Sequence, residues 1–365
     1  MSERPWLLVV GAHRSGTSAV TGAMGALGFT VPSLEDRMDW PDSNPEHWES
    51  LSLSIFNEDL LFRLGGGWDG PPELGKGWEH GPAMDGLADP TELLGSAFLG
   101  NGPPVWKDPR VCLLLDYWRQ VLDGPLAAVL VWRAPVAVAR SLERRDGMGI
   151  TDGLALWERY NRAALQGLDG VDTFVVGYES FLDDAEGVVG RMAGWLGSLD
   201  QFVALTGAWE PAKAAASIDQ ALQHQKADDT SGGGIVLTPQ QQELVDRLAA
   251  ADGGHRPLQP GAPLPESPVS TEVLRVRREI SRLRRELDRR EDLAARLTAT
   301  ETNLEHTRGE LQDAYGYLAS TEEALAEAQR TIESMRESTS WRMTKPVRSV
   351  ISFRQGLGSR PDSTT

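Results

Sequence analysis

Cysteine is almost missing from this chain: Cys112 is the sole one among 365 residues. A single thiol excludes any intramolecular disulfide, and its apolar, helix-like neighbours make it a core thiol rather than a nucleophile. Positive charge is scarce as well. Lys and Arg number 36 against 53 Asp and Glu, a net charge of −17. That balance argues against a general nucleic-acid binder, whose electrostatic footprint is basic. The sequence contains no secretory signal pattern and no run of about twenty apolar residues, so a cytoplasmic location is expected.

What is present begins at Trp6. Trp6 to Val10 is a short apolar run bounded by Gly11, as expected of a parallel strand covered on both faces. Gly11, Ser15, Gly16, Thr17 and Ser18 follow, small residues that let the backbone curl so that several amide N–H groups point to one place. A helix is expected next, to about Leu27, with Val20, Met24 and Leu27 on one face and Gly28 as its stop. The Gly11 to Gly16 spacing matches the start of a nucleotide-binding P-loop, but Thr17 stands where that pattern places its Lys. The nearest cation is Arg14. Such a loop suits a phosphate or sulfonate held by hydrogen bonds and one guanidinium better than a magnesium-bridged triphosphate.

The string HRSGTS, His13 to Ser18, resembles the 5′-phosphosulfate loop of the sulfotransferase family, which uses 3′-phosphoadenosine 5′-phosphosulfate (PAPS) as donor. A second segment carries the same resemblance. Leu126 to Trp132 reads as another strand, followed by Arg133 and a helix with Pro135 in its first turn and Ser141 eight residues after Arg133. In that family an Arg and a Ser at this spacing hold the nucleotide 3′-phosphate. The resemblance thus implies PAPS gripped at one end by Arg14, Ser15, Gly16, Thr17 and Ser18 and at the other by Arg133 and Ser141, with no metal.

Asp42 to Leu61 resembles the acceptor-side segment of bacterial members of the family, and its Glu49 is the first candidate for the base that takes the acceptor hydroxyl proton. Animal cytosolic enzymes use a His two residues after a Lys. Here the run is VWKDPR: Lys107 is kept and Pro109 occupies the His position. Asp108 and His13 follow Glu49 as candidates, and a solvated carboxylate in the first turn of a helix is an equal reading of Glu49. Lys107 and Arg14 are the expected stabilisers of the transferring sulfonate. Arg110 is expected to pair with Asp108 or with an acidic group of the substrate.

Strand and helix patterns continue with a helix over Leu154 to Leu168, a strand over Thr173 to Tyr178 and a helical run to Leu196. Alternation of this kind predicts an α/β fold: a P-loop-like, doubly wound parallel sheet with helices on both faces. Leu64 to Pro104, rich in Gly, Pro and Trp, reads as an irregular insertion whose Trp68 and Trp78 either stack on sugar rings or pin the loop to the core. Ser231 to Gly234 is a Gly-rich connector, and Thr238-Pro239 opens a last helix of this domain.

Residues 1–252 are therefore assigned to the α/β domain, 253–271 to a Pro-rich linker, 272–337 to a coiled coil and 338–365 to a basic, partly disordered tail. Leu297, Leu304, Leu311, Leu318, Leu325 and Ile332 recur every seven residues, with Thr300, Thr307, Ala314, Thr321, Ala328 and Met335 three positions on. Val273, Val276, Ile280, Leu283 and Leu287 form a similar stripe in another phase, so the register shifts near Arg290. A parallel homodimer is the expected form of this homo-oligomer, with a trimer or a partner helix as the alternatives. The tail string SWRMTKPVR resembles an element that follows coiled coils in bacterial glycosyltransferases of surface-polysaccharide assembly. That likeness implies glycan-assembly partners and a place at the inner membrane face, with anionic lipid contact through Arg342, Lys345, Arg348 and Arg354. The expected activity is transfer of a sulfuryl group from PAPS to a saccharide or glycan hydroxyl. The alternatives are an inactive sulfotransferase-like scaffold, kept open by the missing His, and a P-loop kinase or NTPase, disfavoured by Thr17.

Overall fold

Leu7, Leu8 and Val9 are wholly buried, and a five-residue apolar run with no polar face has one stable place, the middle of a sheet covered on both sides. In the structure, a computed structural model that describes residues 4–38, 47–203, 207, 209–216, 234–255, 265–344 and 348, β1 (Trp6–Val10) occupies that place. It pairs in parallel with β2 (Val105–Lys107) on one side and β3 (Leu126–Trp132) on the other, and β3 pairs in parallel with β4 (Asp172–Gly177). The strand order is β2-β1-β3-β4.

Strand residues alternate between two cores, as the period of two requires. Leu8, Val10, Trp106 and Leu130 face a core built with α2 (Leu51–Arg63), α4 (Val111–Val121), α5 (Pro135–Asp146) and α6 (Ile150–Gly167). Leu7, Val9, Val129 and Val176 face the opposite core, with α1 (Thr17–Ala26), α7 (Tyr178–Asp183), α8 (Ala185–Gly197) and α9 (Pro211–Ala216). The helix after β1 thus covers one face and the helix after its neighbour β3 covers the other. Their divergence opens a crevice at the carboxyl ends of β1 and β3, where doubly wound sheets bind ligands.

Three segments differ from their sequence patterns. The insertion holds α3 (Pro90–Ala97), capped by the Asp89 side chain with Pro90 in its first turn. The helical run after β4 is divided, because Asp184 caps a new helix through Gly187 N–H. Thr238 and Gln241 form a reciprocal capping box at α10 (Pro239–Ala251). The last long element, α11 (Pro268–Glu337), starts within the stretch read as linker. Ser267 N–H and the Ser270 hydroxyl both donate to buried Glu158 of α6, and Leu274 is fully buried in the core.

The chain divides into two compact units, Met1–Arg285 and Glu286–Thr365. The first ends about five turns into α11. The second holds the remainder of that helix and a short helix α12 (Thr339–Met343), where the exposed Trp341 ring meets Arg348. Among the described residues no helix is long and apolar enough to cross a membrane. Residues 256–264 of the Pro-rich stretch, Ser231 to Gly233 of the Gly-rich connector, and Lys345 and Arg354 of the tail lie outside the described residues.

Candidate active site

The loop between β1 and α1 is built by two glycines whose absence of a side chain is required. A Cβ on Gly11 would lie 2.2 Å from the Val131 carbonyl oxygen of β3, so only glycine lets the chain leave the sheet at this height. Gly16 has φ +88° and sits under the Tyr178 ring, 2.1 Å from where its Cβ would stand. Arg14 also has a positive φ, 68°, unlike every other non-glycine among the described residues. Left-handed residues on both sides of Ser15 curl the backbone into the concave form that gathers amide N–H groups around an anion. The first amides of α1 have no carbonyl one turn earlier to meet and add to that face.

Every residue expected at the site lies at this one sheet edge. Lys107 is the last residue of β2, Arg133 follows the last residue of β3, and Ser141 lies two turns into α5. Arg14 Nε donates to Ser141 Oγ at 2.9 Å, and an Arg133 guanidinium N–H donates to the Arg14 carbonyl oxygen at 3.2 Å. The Arg133 guanidinium lies 4.7 Å from the centre of the Tyr178 ring, which therefore supports Gly16 and Arg133 together. Ala134 N–H donates to Glu179 at 3.2 Å, fixing the turn behind them.

The candidate bases differ sharply in their surroundings. Glu49 is buried and precedes the Ser50 N-cap of α2, so it is outside the helix rather than in a solvated first turn. Lys107 Nζ donates to its Oε1 at 2.5 Å. Burial pushes the Glu49 carboxyl up, but the charge and hydrogen bond of Lys107, with Arg110 and His47 behind them, outweigh it and hold the group below its ordinary value. Asp108 is saturated: it accepts from Ser54, Asn57, the Arg110 N–H and the Arg110 guanidinium at 2.9 to 3.2 Å. Asn57 in turn accepts from Trp118 Nε1. Arg110 pairs with Glu58 as well as Asp108, and although burial opposes its charge these two carboxylates raise its pKa. The KDPR turn is thus a rigid support for Lys107. His13 packs against Trp68 and Tyr160, with ring centres 4.8 and 5.2 Å away. Burial and then the charges of Arg110, Arg145, Lys107 and Arg14 keep its imidazole neutral, and its Nε2 meets no partner among the described residues.

Positive charge gathers around Arg14. Burial, then Arg145 and Arg133, lower the Arg14 pKa. Like charges packed this closely favour an anion between them. Ser15 is fully buried and its Oγ has no partner among the described residues. An unmet hydroxyl, a curled backbone and clustered guanidinium groups together fit a phosphosulfate and a nucleotide phosphate.

Arg145 and His47 belong to the same electrostatic cluster and were not singled out from the sequence. Arg145 stands one turn beyond Ser141 on α5, a helical spacing that would have placed it beside the same site. His47 is two residues before Glu49, with no pattern to mark it. Cys112 accepts from the Gly11 N–H at 3.2 Å, and burial pushes its thiol up to about 12, so it supports the loop as a neutral core group. Residues 42–46, the beginning of the acceptor-side segment, lie outside the described residues.

No family model and no curated protein matches the sequence. Among solved structures, a sulfotransferase domain from the curacin biosynthetic pathway is similar at 14% identity and a TM-score of 0.38, over 68% of this chain and 99% of that chain. A sulfotransferase domain from the Synechococcus PCC 7002 olefin synthase is similar at 15% identity and a TM-score of 0.36, over 67% of this chain and 94% of that one.

Proposed function

We propose that this protein transfers a sulfuryl group from PAPS to a hydroxyl of a saccharide or glycan, without a metal. The observation that carries the reading is the meeting of Arg14, Lys107, Arg133 and Ser141 around a curled, glycine-built loop, when these residues are scattered over 127 positions of sequence. When bound, PAPS supplies an electrophilic sulfonate and, in 3′-phosphoadenosine 5′-phosphate (PAP), its leaving group. Arg14, Ser15, Gly16, Thr17 and Ser18 hold the phosphosulfate end, and Arg133 and Ser141 hold the 3′-phosphate. Lys107 neutralises charge that develops on the sulfonate and the departing oxygen. Glu49 takes the proton of the acceptor hydroxyl as that oxygen bonds to sulfur. An anion beside Lys107 gives its ammonium a second partner, loosens its hold on Glu49 and makes that carboxylate a stronger base.

Calorimetric titration of the full chain with PAP, with and without magnesium, tests this reading. Magnesium-independent binding that is weakened in Ser141→Ala and weakened further in Arg133→Ala supports it. A folded protein that ignores PAP, or that binds only ATP with magnesium, overturns it. PAP binding without turnover over a broad acceptor panel would leave a scaffold in place of an enzyme.

The proposal extends to the second unit. The heptad stripe from Leu297 to Met335 suits a parallel homodimer. The basic segment after Ser338 suits a glycan-building complex at the inner membrane face as neighbour.

A further inference from the structure

We infer that a cavity beside the transfer site, walled in part by the first turns of the long helix α11, is the subsite for a neutral sugar ring of the acceptor; this rests on the sulfotransferase reading above. The cavity has a volume of about 370 Å³, within the range of roughly 300–1,000 Å³ that small-molecule sites occupy. It lies between α2, the loop after it, the turn joining α5 to α6, and α11, all within the first compact unit.

Its wall is charged yet balanced. Glu58, Asp69 and Asp146 are matched by Arg277, Arg284 and Arg285. Such a lining offers many fixed donors and acceptors and no net charge, which suits a polyhydroxyl ligand better than a phosphate or an amine. The groups are held in place by one another. Asp69 accepts from Arg277 at 2.7 Å and from Ser281 at 2.6 Å, and Glu58 accepts from Arg110 at 3.0 Å and Arg285 at 3.3 Å. Asp146 is bound by Arg145 at 2.8 Å. A wall fixed before the ligand arrives costs little ordering entropy on binding.

Trp68 joins this cavity to the transfer site. Its indole lines the cavity, packs on His13 of the anion loop, and has the Arg145 guanidinium 5.4 Å from its ring centre. On the far side, Glu58 reaches through Arg110 to Asp108, next to Lys107. A ring lodged against Trp68 would therefore stand beside the residues assigned to the sulfonate. Because Arg277, Ser281, Arg284 and Arg285 lie on α11, the helix that continues into the heptad stripe also shapes the acceptor.

The test is saturation-transfer NMR on the full chain with the methyl glycosides of glucose, galactose, mannose and N-acetylglucosamine, and with methyl glucuronide as the charged control. Arg284→Ala is the chief variant, since Arg284 is two-thirds exposed and touches Asp69 only at 3.8 Å, so its loss spares the fold. Ser281→Ala is the second variant, and PAP titration of each protein is run in parallel. The expected result is transfer to at least one neutral glycoside, weakened about tenfold in each variant, with PAP affinity unchanged. Absence of transfer to every glycoside in a protein that binds PAP overturns the subsite, as does binding indifferent to both variants or strongest for the glucuronide. Glycoside binding that is lost in the variants, in a protein that ignores PAP, keeps the sugar site and overturns the donor reading instead.

Discussion

Lys107 donates to Glu49 at 2.5 Å in a pair whose side chains are 4% and 11% exposed, so each charge depends on the other for its place in the core. Removing one partner leaves the other buried and unpaired, a loss of about 3–5 kcal/mol at neutral pH. Glu49 titrates below its ordinary value of 4.5 in the folded protein, so its contribution is fully present above that value and is lost as pH falls through the folded one. In Lys107→Met the same carboxyl has only burial acting strongly on it and is pushed up. Urea unfolding of wild type and Lys107→Met should therefore differ most at pH 7 and converge as the pH drops below 4.5. A constant difference across that range would mean that Lys107 stabilises by packing alone.

The Arg14–Ser141 hydrogen bond predicts unequal losses at the proposed nucleotide site. Ser141→Ala removes one donor and frees the Arg14 side chain, and PAP affinity should fall about tenfold. Arg133→Ala removes a charged fork and should cost about a hundredfold. Arg133→Lys should recover little, since a point charge neither lies flat on Tyr178 nor presents two parallel donors. Calorimetry on the three variants gives the order. Full rescue by Lys would reduce Arg133 to a bulk charge.

Much of this geometry was legible in the sequence where local chemistry and tertiary role coincide. The strands at Trp6 and Leu126 are apolar throughout because both faces are covered, and Gly11 and Gly16 stand where no side chain fits. α3 was hidden because its Asp89-Pro90 start lies in a Gly- and Pro-rich stretch whose composition masks a capped helix. The two equal readings of Glu49, general base or solvated helix-start acid, are not separable in the sequence because its burial depends on Lys107, fifty-eight residues away. Ser267 and Ser270 look like linker residues because their partner, Glu158, comes from α6. Arg145 carries a local mark, its place one helical turn beyond Ser141 on α5, whereas His47 has none and meets the site only through the fold. Pairings distant in sequence are thus the part that periodicity does not report.

Gly16 gives a sharper test of the loop. Gly16→Ala places a Cβ at a φ of +88° and against the Tyr178 ring. The left-handed conformation alone costs about 1–2 kcal/mol for an L-residue, and the ring must also shift. The expected outcome is a lowered melting temperature together with loss of PAP binding, because Tyr178 also supports Arg133. Adding Tyr178→Leu to Gly16→Ala should relieve the clash and leave the φ penalty, restoring part of the stability and none of the binding. Binding by Gly16→Ala equal to wild type would place the anion elsewhere.

The heptad stripe of the second unit predicts self-association that the first unit does not need. Leu297, Leu304, Leu311, Leu318, Leu325 and Ile332 are 49% to 68% exposed along one helix, an apolar seam too long to be left in water. In a parallel, in-register pair Arg296 of one helix faces Glu301 of the other, an attractive match that an antiparallel pair does not make. The Thr and Ala at the second seam position bury little, so the association should be modest and sensitive to single charges. Sedimentation equilibrium of the full chain should give twice the monomer mass of 39.8 kDa. Leu311→Lys with Leu318→Lys should return the monomer while PAP affinity stays at the wild-type value, since neither residue belongs to the first unit. A monomeric wild type would leave the seam for another protein's helix, and a trimer would overturn the dimer while keeping the parallel match of Arg296 with Glu301.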